Sequence, residues 1–153
     1  MISVRVYGLL INTSQQVLVS DEFIRGNYYT KFPGGGLEFG EGTRDCLRRE
    51  FIEEMNLKVE VTDHIYTTDF YQQSAFNTSQ QILSIYYFVK ALEPIQVPLK
   101  NQPFDFDAQQ LEIYAQTKQI ETFRFINCED FSPAQMSLPI DKIVADLIKG
   151  KTQ

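Results

Sequence analysis

Residues 34–57 read GGGLEFGEGTRDCLRREFIEEMNL, and the fold turns on how this stretch is read. Three glycines follow Pro33, which marks a turn that lets backbone carbonyls approach a ligand closely. From Thr43 to Met55 the pattern becomes helical, with Thr43 as the expected N-cap. Leu47, Phe51 and Met55 recur at i, i+4 and i+8 and form a buried stripe. Asn56 follows as the C-cap, because Asn tolerates the left-handed conformation. Glu50, Glu53 and Glu54 share a neighbouring face of the helix, since residues three and four apart are neighbours. Like charges at that spacing repel, so something must offset the cost. Arg44, Arg48 and Arg49 could do so on an ordinary solvated face. A hard cation could do so as well, because Mg²⁺ is held by carboxylates and carbonyl oxygens and keeps waters and substrate phosphates.

Working outward, Ser3–Ile11 is rich in Val, Leu and Ile and ends at the polar turn Asn12–Gln15. It reads as a strand paired with the one through Val17–Val19. Tyr28–Phe32 is a short aromatic strand stopped by Pro33. Val59–Tyr71 and Ile82–Ala91 are β-rich, and the link QQSAFNTSQQ between them reads as a long hairpin loop. The segment from Glu93 to Ile120 contains Pro94, Pro98 and Pro103 and reads as an irregular excursion with a short helix at Ala108–Gln116. Thr122–Ile126 is a further strand. Ile140, Ile143, Val144, Leu147 and Ile148 then have helical spacing, with Pro139 to open the helix and Gly150 to close it. No repeat or linker interrupts the chain, so residues 1–153 read as one α/β domain with a mixed sheet.

Composition narrows the function. The 153 residues are 43% hydrophobic, which suits a globular chain with one sizeable core. Lys and Arg number 14 against 20 Asp and Glu, a net charge of −6. That excludes a generic binder of nucleic-acid backbones, but not a polyanionic small molecule whose charge is met by metal ions. Cys46 and Cys128 lack zinc spacing and read as reduced thiols. No apolar run approaches the length of a membrane span, and the N-terminal stretch has no secretion-signal pattern, so a soluble cytoplasmic protein is expected.

The 34–57 stretch resembles the signature of the Nudix hydrolases. In that family a Gly is followed after five residues by Glu, and after seven more by Arg-Glu. An apolar residue, any residue, Glu-Glu, any residue, Gly and an aliphatic residue complete it. Here Gly35, Glu41, Arg49-Glu50, Phe51, Glu53-Glu54 and Leu57 occupy these places, and Asn56 stands where the family has Gly. The resemblance implies an α/β/α sandwich and hydrolysis of a nucleoside diphosphate linked to another moiety X, with Mg²⁺ or alternatively Mn²⁺. It implies that Glu50, Glu53 and Glu54, with the Gly34 carbonyl, are metal ligands. Arg49 and Glu41 complete the catalytic set by orienting the loop and helix. Glu93, Glu112 and Glu121 are candidates for an additional ligand or general base. A homodimer is implied at family level only.

Arg25, Lys31 and Arg5 are candidates for contacting substrate phosphates, because Arg pairs bidentately with phosphate. For each, an ordinary surface charge is an equal alternative. Among Phe23, Tyr28, Tyr29, Phe39, Phe70 and Phe76, one or two are candidates for stacking on a base, and most are expected in the core. His64, the only histidine, and Cys46 read as structural. No subfamily signature beyond the box is present: FYQQSAF has no proline, and the chain has no Trp. The alternatives are a housecleaning nucleoside triphosphate pyrophosphohydrolase and a non-catalytic nucleotide sensor.

Overall fold

A computed structural model describes residues 1–149. The chain forms two compact units, each interrupted in sequence by the other. The first comprises Met1–Asn12 and Pro33–Gln96, and the second Thr13–Phe32 and Val97 onward. The fold is of the mixed α+β class, with mixed sheets as expected. There are two four-stranded sheets rather than one, and each belongs to one unit.

The first unit contains β1 (Ile2–Leu10), β4 (Gly34–Gly36), α1 (Thr43–Met55), β5 (Val59–Thr67) and β6 (Gln81–Ala91). Its strand order is β4-β1-β6-β5. β1 runs parallel to β6, from Ile2 opposite Gln81 to Leu10 opposite Val89. β5 and β6 are antiparallel across the polar link, which is the expected long hairpin, although β5 ends at Thr67 rather than Tyr71. The three glycines form an edge strand antiparallel to β1, not a free turn.

α1 has the expected limits, and its buried residues are Cys46, Leu47, Phe51 and Met55. Its N-cap is Gly42 rather than Thr43. Thr43 is the first helical residue, and its hydroxyl shares a 2.7 Å hydrogen bond with the Tyr87 hydroxyl of β6. Arg44 fastens the same end, donating to the Val61 carbonyl at 2.7 Å and lying over the Tyr87 ring at 4.7 Å. At the C-terminus Asn56 is left-handed, with φ 49° and ψ 41°. Its N–H donates to Ile52 O at 2.9 Å, and the N–H of Leu57 to Phe51 O at 3.3 Å. An L-residue without a short polar side chain is strained there. Asn56→Ala is therefore expected to cost about 1 kcal/mol, whereas Asn56→Gly should equal or exceed the parent in stability. Urea midpoints of the two variants check this.

The second unit contains β2 (Gln16–Ile24), β3 (Asn27–Lys31), β7 (Leu99–Lys100), α2 (Ala108–Thr117), β8 (Gln119–Asn127) and α3 (Pro139–Ile148). Its strand order is β3-β2-β8-β7. β1 and β2 are thus consecutive but not paired, contrary to expectation. β2 is buried from Val17 to Glu22 without alternation, as a strand covered on both faces must be. That run includes Asp21, whose carboxylate accepts from Arg124 Nε at 2.6 Å, Arg124 Nη2 at 3.2 Å and the Thr30 hydroxyl at 2.7 Å. α2 begins at Ala108 as expected, with Asp107 as its N-cap. α3 opens at Pro139 and buries Ile140, Val144 and Ile148. Gly150, the expected end of this helix, lies outside the described residues.

Candidate active site

The site begins with the edge strand. Gly8 N–H donates to Pro33 O, and Leu37 N–H to Val4 O, both at 2.9 Å. The bonded positions of β4 are therefore 33, 35 and 37. Gly34 and Gly36 are out of step, and their peptide groups face the opposite edge of the strand. Along that edge lies α1. The carbonyl of Gly36 accepts from Arg49 Nη2 at 3.0 Å.

Gly34 and Gly35 must lack side chains for different reasons. At Gly34 (φ +152°) a Cβ would overlap the Val6 carbonyl oxygen and come within 2.7 Å of Tyr7 Cα. At Gly35 a Cβ would occupy the space of the Glu50 carboxyl group. The glycine strand thus forms a cradle into which the first box glutamate of α1 fits.

Arg49 organises the carboxylates. Its Nε donates to Glu41 Oε2 at 3.0 Å and its Nη2 to Glu41 Oε1 at 2.7 Å, a bidentate pair. Its Nη1 donates to Glu50 Oε1 at 3.0 Å and Glu53 Oε2 at 3.2 Å. With the Gly36 carbonyl, all five guanidinium hydrogens have an acceptor. A lysine, with three donors and no planar fork, cannot reproduce this. The Glu38 carboxylate stands 3.7 Å from Nη1. Sequence reasoning missed Glu38, because it lies among the five unspecified positions between Gly35 and Glu41.

The electrostatics follow from this geometry. The hydrogen bonds from Arg49, and then the backbone of Glu38, lower the Glu41 carboxyl from its ordinary 4.5 to about 2. The same carboxylates, Glu41 foremost, hold the Arg49 guanidinium above its already high value. Cys46 is fully buried beneath, and burial followed by the Glu41 charge pushes its thiol up to about 12. It is a packing residue, as expected. A depressed carboxyl contributes stability that is fully present above its unfolded value near 4.5 and is lost as pH falls toward about 2. The stability difference between the parent and Glu41→Gln is therefore expected to be constant above pH 5 and to shrink steadily below it. Urea midpoints taken across that range measure it.

The other expected residues are dispersed. Glu54 is half-buried on α1, one turn beyond Glu50. Arg5 lies opposite Gly36 in the β1–β4 ladder, and its Nε donates to the Tyr7 hydroxyl at 3.0 Å. Arg25 and Lys31 belong to the second unit. Arg25 is a left-handed residue at the β2–β3 turn, and Lys31 is buried in an ion pair with Glu22 at 3.1 Å. Glu93 accepts from the Lys58 N–H at 2.9 Å, Glu121 accepts from the Ser20 hydroxyl at 3.0 Å, and Glu112 lies on α2. His64 bonds Thr67 Oγ1 at 2.8 Å, a local structural contact. Phe23 and Tyr28 stack on each other with centroids 4.3 Å apart, while Phe39, Phe70 and Phe76 are exposed.

Among the described residues, no three His, Cys, Asp or Glu side chains already converge as an ion would require. Arg49 is the common neighbour of the carboxylates instead. The donor chemistry nevertheless fits a hard divalent cation, because every candidate ligand is an oxygen. One guanidinium also faces four carboxylates, so the cluster keeps surplus negative charge.

A family model described as a NUDIX domain matches residues 1–147. Among solved structures the chain is similar to a MutT NUDIX hydrolase from Burkholderia pseudomallei, at 13% identity over 97% of this chain and 98% of that one, with a TM-score of 0.68. It is similar to an ADP-ribose pyrophosphatase from Streptococcus suis 89-1591, at 15% identity, covering 95% and 86%, with a TM-score of 0.59. It is also similar to a UDP-X diphosphatase, at 16% identity, covering 99% of this chain and 63% of that one, with a TM-score of 0.60.

Proposed function

The chain belongs to the Nudix family, hydrolases that act on pyrophosphate bonds, and on that premise we propose that it cleaves a nucleoside diphosphate linked to another moiety X in a Mg²⁺-dependent reaction. The observation that carries this reading is the full set Glu41, Arg49, Glu50 and Glu53 joined through one guanidinium. A solved structure of similar fold is named a UDP-X diphosphatase and another an ADP-ribose pyrophosphatase, which suits that substrate class. Residues 1–147, matched by one family model, would act as one domain.

In this reading Glu50, Glu53 and Glu54 hold the metal, with the Gly34 carbonyl as a further ligand. A Mg²⁺ held there would offset the negative charge of the diphosphate and lower the pKa of a water. The protein's part is positional. Arg49 fixes Glu50 and Glu53 at one end of α1 and ties them to the Gly36 carbonyl and Glu41. Arg5, across the ladder from Gly36, is the candidate to engage a substrate phosphate. The substrate is a small nucleotide derivative rather than a nucleic-acid polymer, in keeping with the net charge of −6. Among the described residues no helix is long and apolar enough to cross a membrane.

The test is hydrolysis of nucleotide sugars, ADP-ribose, dinucleoside polyphosphates, coenzyme A and nucleoside triphosphates, with and without Mg²⁺. Metal-dependent turnover of a diphosphate-linked member supports the reading. Turnover of triphosphates alone selects a housecleaning role, and binding without turnover selects a sensor.

A further inference from the structure

Phe39 is fully exposed, although it lies in the loop between the glycine strand and α1. The loop is held in place at several points. Leu37 N–H bonds Val4 O at 2.9 Å, Glu38 N–H bonds Glu41 Oε1 at 2.9 Å, and Glu41 N–H bonds Glu38 O at 3.3 Å. A large apolar ring on a tethered loop, turned wholly to water, gains nothing from folding.

Beside it is a cavity of about 310 Å³, the low end of the size range of small-molecule sites. Its apolar walls include Phe39, Ile2 and Met1, and its polar walls Ser3, Gln80 and Glu38. An aromatic face with a few hydrogen-bonding groups is what a flat heterocycle requires. Glu38 also joins this cavity to the carboxylate cluster, because its carboxylate is 3.7 Å from Arg49 Nη1.

We propose that this cavity receives the nucleobase of the substrate and that Phe39 stacks on it. The inference rests on the hydrolase reading for the direction from which the base arrives: a diphosphate against α1 extends past Glu38 into the cavity. Phe39 therefore sets affinity for the base-bearing half of the substrate, and Ser3, Gln80 and Glu38 face the edge of the ring.

The chain has no tryptophan, so Phe39→Trp creates a single tryptophan, which can be excited selectively over the tyrosines, at the site. The probes are AMP, GMP, CMP and UMP, with ribose 5-phosphate as the base-free control and Mg²⁺ present. Quenching by at least one nucleotide and none by ribose 5-phosphate is expected. Calorimetry should show binding of that nucleotide weakened about 5- to 100-fold in Phe39→Ala, the usual worth of one base stacked on an aromatic ring, and restored in Phe39→Tyr. Equal nucleotide affinity in the parent and Phe39→Ala, or quenching by no nucleotide, overturns the proposal. Nucleotide hydrolysis without quenching removes this inference and keeps the hydrolase reading. Quenching without hydrolysis of any substrate does the reverse.

Discussion

Replacing Glu53 by Gln is expected to lower kcat by about 10²–10³-fold and to leave the fold intact. The side chain of Glu53 is 57% exposed and accepts only one of the several hydrogen bonds that Arg49 donates, so its loss from the folded state costs little. The amide keeps the shape of the carboxylate but carries no charge. A hard cation held by carboxylates loses a charged ligand, and the Mg²⁺ concentration for half-maximal rate should rise as kcat falls. Measurement of kcat across a Mg²⁺ titration, beside a thermal melt, separates this from misfolding. Unchanged turnover at every Mg²⁺ concentration would sink the assignment of Glu53 as a ligand.

The second large effect distinguishes two adjacent glycines. Gly34→Ala is expected to destabilise the protein by about 2–5 kcal/mol. Its new methyl group meets the backbone of β1 at Val6 and Tyr7, which cannot move without breaking the β1–β4 ladder, and its φ of +152° is unsuited to alanine. Gly35→Ala should behave differently. There the nearest atoms to the methyl group belong to the carboxyl end of Glu50, a flexible side chain that can swing aside. Stability should fall by no more than about 1 kcal/mol, whereas kcat should fall about 10²-fold because Glu50 leaves its place beside Arg49. Urea unfolding and steady-state rates of both variants provide the comparison. An active, stable Gly34→Ala protein would show that the close approach to β1 has been misjudged.

What could be read from the sequence follows from how local the signal is. α1 was legible in its limits, its apolar stripe and its C-cap, because a helix of 13 residues carries the stripe and the carboxylates and Asn56 follows directly, whereas its N-cap, Gly42, was not. Arg49 and Glu41 were legible only through their spacing, which a helix and a short loop convert into a 2.7 Å contact. The glycines misled, because Gly34–Gly36 has no side chains to reveal alternation, and its pairing is decided by β1, about 30 residues earlier in the chain. The partner of β1 was hidden for the same reason. A polar turn follows β1 and suggests a hairpin, yet the strand pairs with β6, and β2 with β8. By sequence Lys31 is a candidate phosphate contact or an ordinary surface charge, and only tertiary packing reveals its buried pairing with Glu22. Glu38 occupies a position where the spacing rule accepts any residue.

The parallel pairing of β1 with β6 has a consequence for synthesis. Ile2 leaves the ribosome well before its neighbour Gln81, which follows only after most of the first unit has been translated. At roughly 5–20 residues per second, the apolar strand through Val6, Leu9 and Leu10 waits several seconds without its long-range partner. Neither unit is contiguous, so the chain has no point before residue 96 at which one of them could be closed off as a finished piece. A nascent chain stalled within α1 would thus present a bare, sticky strand to its surroundings, and chaperone capture of such stalled chains should fall sharply once β6 has emerged.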